Sequence, residues 1–145
     1  MEFMPLTPHD IEEAPAWMRE IPLRADRWRD RHTRSVVAKI EQMPAAAGIL
    51  WTSRVHGDRY WFEIAVAPGH RRRGLGREMF AHLSGLRADD LAFMARGYVD
   101  DDRMAFVRAL GACTLQDAPP TEIDTSARVE LRRHPAVEGA ADVAW

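Results

Sequence analysis

The chain has 145 residues, 46% of them apolar and 29% charged, with nine prolines and nine glycines, which suits one folded domain and argues against a disordered, collagen-like or fibrous chain. Its single cysteine, Cys113, excludes an intramolecular disulfide framework and a cysteine metal cluster. The net charge of −2 supplies no bulk positive field for nucleic acid.

Phe3 to Leu6 reads as a short edge strand, and Thr7-Pro8-His9-Asp10 as a helix start with a threonine cap and an acid three residues on. Ala14, Trp17, Met18 and Ile21 share one helical face, with Pro15 either restarting or kinking the helix and Pro22 ending it. From Arg24 to Arg34 alternating charges around Trp28 predict a second, mostly exposed helix. Val36 and Val37 favour a strand over Ser35 to Ile40, and Pro44 with the three alanines after it reads as a turn before a strand from Gly48 to Thr52. Turn chemistry at Val55-His56-Gly57-Asp58 joins that strand to the strongest one, Tyr60 to Val66, as a hairpin. That run is apolar on both faces except for Glu63, as expected of a central, covered strand.

Pro68-Gly69 ends the strand, and Leu75, Met79, Leu83 and Leu86 then repeat at helical spacing. A second strand–helix unit runs from Leu91–Ala95, through Asp100-Asp101-Asp102, to Met104, Val107 and Leu110, stopped by Gly111. Strands over 114–116 and 128–131 follow, and residues 134–145 read as a loose tail. The whole predicts an α/β domain over 1–133, a mixed central sheet with helices on both faces.

Unusual backbone chemistry concentrates at Arg71-Arg72-Arg73-Gly74-Leu75-Gly76-Arg77. Glycines just after a central strand permit positive φ or close backbone approach, and a helix starting there leaves outward amides without internal partners, which suits phosphate or pyrophosphate. The arginines add charge-assisted bonds. Neither the P-loop spacing nor a third glycine of a dinucleotide fingerprint is present, Met79 standing where that glycine would be. The triple arginine neutralises too few phosphates, without interleaved aromatics, to read as a nucleic-acid surface.

Residues 71–76 resemble the Arg/Gln-x-x-Gly-x-Gly/Ala loop of the GNAT family of N-acetyltransferases. Glu63 to Pro68 are similar to the strand that feeds that loop, and Leu91 to Ala112 to the family's fifth strand and fourth helix. The resemblance implies fourth and fifth strands that are parallel but splayed, with acetyl-CoA in the gap. Ile64, Ala65 and Val66 would face its pantetheine arm and Arg71, Arg72, Arg73, Gly74, Leu75, Gly76 and Arg77 its pyrophosphate. It further implies acetyl transfer to a primary amine of a small molecule or peptide, the alternative being a non-catalytic CoA-binding or interaction module. The family's proton-donating tyrosine falls on Val107, which cannot donate, so either Tyr98, a substitute on position alone, or water supplies the acid, or the active site is altered.

Glu63 reads either as a general base, its pKa raised by burial, or as the partner of a nearby arginine. Trp28, amid charges on the segment that walls the acceptor pocket in the resembled family, is a substrate-side candidate, while Trp17, Trp51, Trp61 and Cys113 are expected in the core. The six histidines lack HxxH or HxH spacing, so no metal site is expected. No segment has the features of a signal peptide or of a membrane span, which predicts a cytoplasmic protein, and a homodimer is compatible with the pattern.

Overall fold

The computed structural model describes residues 1–97 and 102–114. Met1–Cys113 form one compact unit. A five-stranded sheet runs in the order β1 (Glu2–Pro5), β2 (Arg34–Ile40), β3 (Met43–Trp51), β4 (Arg59–Val66) and β5 (Ala92–Met94). The first three pairings are antiparallel and β4–β5 is parallel. The β4–β5 ladder ends at Trp61↔Met94, whereas β4 runs on to Val66 paired only with β3. β5 ends there, so residues 62–66 of β4 have no β5 partner, and the parallel β4–β5 pair is the one the resemblance implied.

Helices cover both faces. Thr7 caps α1 (Pro8–Glu12) through a reciprocal capping box with Asp10, and Pro15 caps a separate 3-10 helix, Ala16–Glu20. Proline thus restarts the chain's helical course instead of kinking it. Leu6, Ala14, Met18, Ile21 and Leu23 pack there against Val37, Ala47, Ile49 and Ala65. On the other face α2 (Leu75–Gly85) places Leu75, Met79 and Leu83 against Val36, Leu50, Tyr60 and Phe62, with α3 (Asp102–Ala109) beside them. Side-chain alternation along β4 sends Tyr60 and Phe62 to the α2 face and Ala65 to the other.

Two predicted elements differ. Residues 24–33 form turns and irregular backbone, not a helix, and Arg34 already belongs to β2, because aspartates bind the local backbone instead of leaving it to helical bonds. Asp26 Oδ1 accepts from Ser35 N at 2.9 Å and Asp30 Oδ1 from His32 N at 2.9 Å and Thr33 N at 3.1 Å. The run Pro44-Ala45-Ala46-Ala47 lies within β3, not in a turn. The turn is Glu41-Gln42, both at positive φ (50° and 66°), and Pro44 is accommodated next to a register irregularity between Ala38 and Lys39. A β-carbon on Gly48 would stand 2.8 Å from Leu83 Cδ1, so the small residues of β3 make room for α2.

Cys113, expected buried, is exposed. Trp17, Trp51 and Trp61 are only half-buried and Trp28 is 62% exposed, so none of these four tryptophans belongs to the fully buried core. Past Thr114, the expected strands over 114–116 and 128–131, the domain boundary at 133 and the tail lie outside the described residues.

Candidate active site

β4 delivers the chain into the 3-10 turn Pro68–His70 and then the arginine-glycine loop. Arg72 (φ 61°) and Gly74 (φ 88°) are both left-handed, and Gly74 is the N-cap of α2 with no side-chain capping bond. Arg77 N and Glu78 N donate to the Gly74 carbonyl at 2.9 and 3.1 Å. Among the described residues nothing accepts from the amides of Arg72, Arg73, Gly74, Leu75 or Gly76. This cradle of donors at the positive end of a helix is the observation that fits a pyrophosphate.

The two glycines serve different ends. No atom lies within 4 Å of where a Gly74 β-carbon would be, so its left-handed backbone is the requirement there. A Gly76 β-carbon would meet Phe106 Cε2 at 3.2 Å, so its absence lets α3 approach α2.

The four loop arginines also divide. Arg71 Nε donates to the Val66 carbonyl at 3.1 Å, fastening the loop back to β4, and its Nη2 lies 3.9 Å from Glu20 Oε2. Arg77 Nη2 donates to the Ala109 carbonyl at 3.4 Å. Arg72 and Arg73 are exposed and have no ion pair or hydrogen bond among the described residues, leaving two cations beside the amide cradle.

Glu63 stands three residues before the end of β4, on the same face as Trp61 and Ala65, opposite Ile49 of β3. Its side chain is 21% exposed, and Arg103 Nη1 of α3 lies 3.7 Å from its Oε2. Burial pushes its pKa above the usual carboxylate range, while Arg103 and then Arg96 pull in the opposite direction without cancelling the rise. Trp61 pairs across the sheet with Trp51, the Arg96 guanidinium lies 5.9 Å from the Trp61 ring, and Trp61 Nε1 is buried without a hydrogen-bond partner among the described residues. Ile64, Ala65 and Val66 lie on the stretch of β4 beyond the β5 ladder, joining Glu63 to the loop.

The structure thus brings Glu63, the 64–66 strand and the 71–77 loop into one continuous run. Trp28 stands elsewhere, in the turn segment that leads into β2. Its ring lies 5.4 Å from the Arg24 guanidinium, and its neighbour Arg29 donates to the Thr52 carbonyl at 2.7 Å. Tyr98 lies outside the described residues. Val107, at the position of the family's tyrosine, lines an apolar cavity of about 230 Å³ with Phe62, Phe80 and Phe93. Sequence reasoning missed Glu20, Arg96 and Arg103, since only the fold draws these scattered charges toward Glu63. Among the described residues no group of three or more His, Cys, Asp or Glu could hold a metal ion, and no helix is long and apolar enough to cross a membrane.

The sequence profile of the acetyltransferase (GNAT) family matches residues 3–109. The chain belongs to the GNAT family. Solved structures agree in fold at low identity. The aminoglycoside 6'-N-acetyltransferase of Acinetobacter haemolyticus is 16% identical, with a TM-score of 0.64 over 86% of this chain and 100% of that one. The glucosamine-6-phosphate N-acetyltransferase of Arabidopsis thaliana is 13% identical, with a TM-score of 0.60 over 85% and 98%. The ribosomal-protein-alanine N-acetyltransferase of Brucella melitensis is 15% identical, with a TM-score of 0.59 over 85% and 100%. No curated protein sequence matches the chain. This GNAT domain is an acetyl-CoA-dependent acetyltransferase of an amine acceptor.

Proposed function

We propose that the 72–77 loop holds the pyrophosphate of acetyl-CoA and that Glu63 is the general base for the acceptor amine. The observation that carries this reading is the continuity of β4 beyond its β5 ladder: an ionisable group at 63, backbone through 66 that pairs with β3 alone, then an anion cradle. When bound, acetyl-CoA supplies a thioester activated toward amines. The amides of residues 72–76 bind its phosphates, with Arg72 and Arg73 adding charge, and the free edge of residues 64–66 orients the arm. Glu63, ionised, accepts a proton from the acceptor's ammonium directly or through one water, so that the amine can attack. Its raised pKa brings it closer to that of the amine than an ordinary carboxylate would be, which eases the transfer.

The aromatic rings of Trp51 and Trp61 beside Glu63 suit an acceptor that presents an ammonium on an apolar or ring-bearing frame. Solved structures named as aminoglycoside, glucosamine-6-phosphate and ribosomal-protein-alanine N-acetyltransferases show how widely one fold is used. A primary amine on a small molecule or a peptide is the acceptor class supported by this site.

The test is Glu63→Gln, which keeps the shape and removes the base. Affinity for CoA should hold, while kcat/KM for an acetylated amine should fall roughly 10²-fold and the acidic limb of its pH profile should flatten. Wild-type kcat/KM with an unchanged limb would remove Glu63 from the mechanism.

A further inference from the structure

Four charged side chains from four different elements alternate in sign between the loop and Glu63. Arg71 of the loop and Arg103 of α3 both approach the same atom, Glu20 Oε2 of the 3-10 helix, at 3.9 and 3.7 Å. The other terminal nitrogen of Arg103, Nη1, lies 3.7 Å from Glu63 Oε2. One guanidinium therefore faces two carboxylates through two different nitrogens. Arg71 is itself fixed at the other end by the Val66 carbonyl, so Glu20 is set between two cations.

The geometry points to Arg103 as a positioning residue for the acetyl-transfer base: held by Glu20, it aims the Glu63 carboxylate and keeps it ionised until the acceptor's ammonium takes the guanidinium's place. This rests on the reading of Glu63 as base. The arrangement answers a physical difficulty in that reading. A carboxylate four-fifths buried on a strand tends to take up a proton before any amine arrives, and a protonated Glu63 is no base. A resident cation opposes that tendency. Because the Arg103–Glu63 contact is long, at 3.7 Å, and Arg103 is 43% exposed, exchanging this one contact for the acceptor's ammonium costs little. Arg103 and the acceptor's ammonium are thus successive partners of one carboxylate.

Among the described residues, the charged groups around Glu63 are Arg103 of α3, Arg96 after β5, and, through Arg103, Glu20 of the 3-10 helix, itself contacted by Arg71 of the loop. The pairing with Trp51 and Ile49 brings no further charge from β3. Arg96 is the natural control, since it acts on Glu63 only through space while its guanidinium lies over Trp61.

The experiment follows the Glu63 carboxyl by carbon-detected NMR through a pH titration of the whole, ligand-free protein, its signal assigned by its loss in Glu63→Gln. Arg103→Gln should strengthen proton binding at Glu63 roughly tenfold, the low end of what an opposite charge at this range supplies. Arg103→Lys should restore most of that shift, and Arg96→Gln should cause a smaller one. Rising salt should shrink the difference between wild type and Arg103→Gln. In the kinetics, the acidic limb of kcat/KM should move to higher pH in Arg103→Gln by the same amount. An unmoved Glu63 titration in a folded Arg103→Gln protein, or a shift that Arg103→Lys does not reverse, overturns the proposal. The outcome is separable from the base assignment. If Glu63→Gln flattens the acidic limb while Arg103→Gln leaves it in place, only the role of Arg103 fails. If Glu63→Gln keeps the limb, the base assignment fails first.

Discussion

At Gly74 and Gly76 the same amino acid solves two problems, and substitutions should separate them. Gly74 needs left-handed φ in open space, so Gly74→Val should turn the amide cradle away from its ligand and weaken CoA binding at least tenfold, about 1.4 kcal/mol. Gly74→Asn, which visits that region more readily, should lose less. Gly76→Val should act differently, pushing on Phe106 and lowering thermal stability along with affinity. Isothermal titration with CoA alongside thermal melts distinguishes the cases, and equal affinity in a folded Gly74→Val protein would remove the loop from the binding site. Arg72 and Arg73 lack partners among the described residues, so reversal of either to Glu should weaken CoA binding with little change in melting temperature. That loss should diminish as salt is raised.

Between elements, the decisive contact is α2 on β3. The Gly48 site has Leu83 Cδ1 at 2.8 Å and Met79 Cγ at 3.0 Å from an added β-carbon, both on buried side chains of α2. Gly48→Ala should therefore destabilise by about 1–3 kcal/mol as an overpacked core, although alanine is a better strand residue than glycine. A denaturant melt with unchanged slope and unchanged midpoint would show that α2 can shift freely. This contact also explains why part of β3 was illegible in sequence. Pro44 and a run of alanines look like a turn because small residues carry no strand propensity of their own, and what makes them a strand is the helix that needs the space. The segment around Trp28 misled for a related reason, as its charge alternation suits an exposed helix while Asp26 and Asp30 bind nearby amides. By contrast, β4, α2 and the glycine loop could be read directly, because hydrophobic periodicity and punctuation coincide there. Glu63 was legible as a lone charge in an apolar strand. Its partner Arg103 was not, since 40 residues separate them and only the return of α3 across β4 makes them neighbours.

For the molecule as a whole, the site leaves a signature in the pH dependence of stability. Asp58 is held down to about 2 by the Arg59 side chain. Asp10 and Asp30 are pushed up by burial, but bonds from Thr7 and Arg29 and from nearby amides outweigh it and hold them low. Burial, with Arg34 nearby, also lowers the pKa of His82. In each of these groups the unfolded chain binds the proton more tightly, so the stability they contribute is present near neutrality and is lost as pH falls through their titration. Glu63 has the opposite sign. Its folded pKa lies above its unfolded one, so the native state holds the proton more tightly and the ionised form burdens the fold. That burden is absent below the unfolded carboxylate range and complete once pH has risen past the folded pKa. Glu63→Gln should therefore stabilise the protein at pH 7 and raise its Tm there. The gain should shrink as pH falls and vanish near pH 4, where wild-type Glu63 is protonated too. Calorimetric melts of both proteins from pH 4 to 8 measure it. A constant difference across that range would mean that the substitution acts through packing, and a lower Tm at pH 7 would mean that the pairing with Arg103 outweighs the cost of burial. The predicted pattern, a variant that gains stability at the pH where it loses activity, is what a carboxylate kept charged for its chemistry should leave behind.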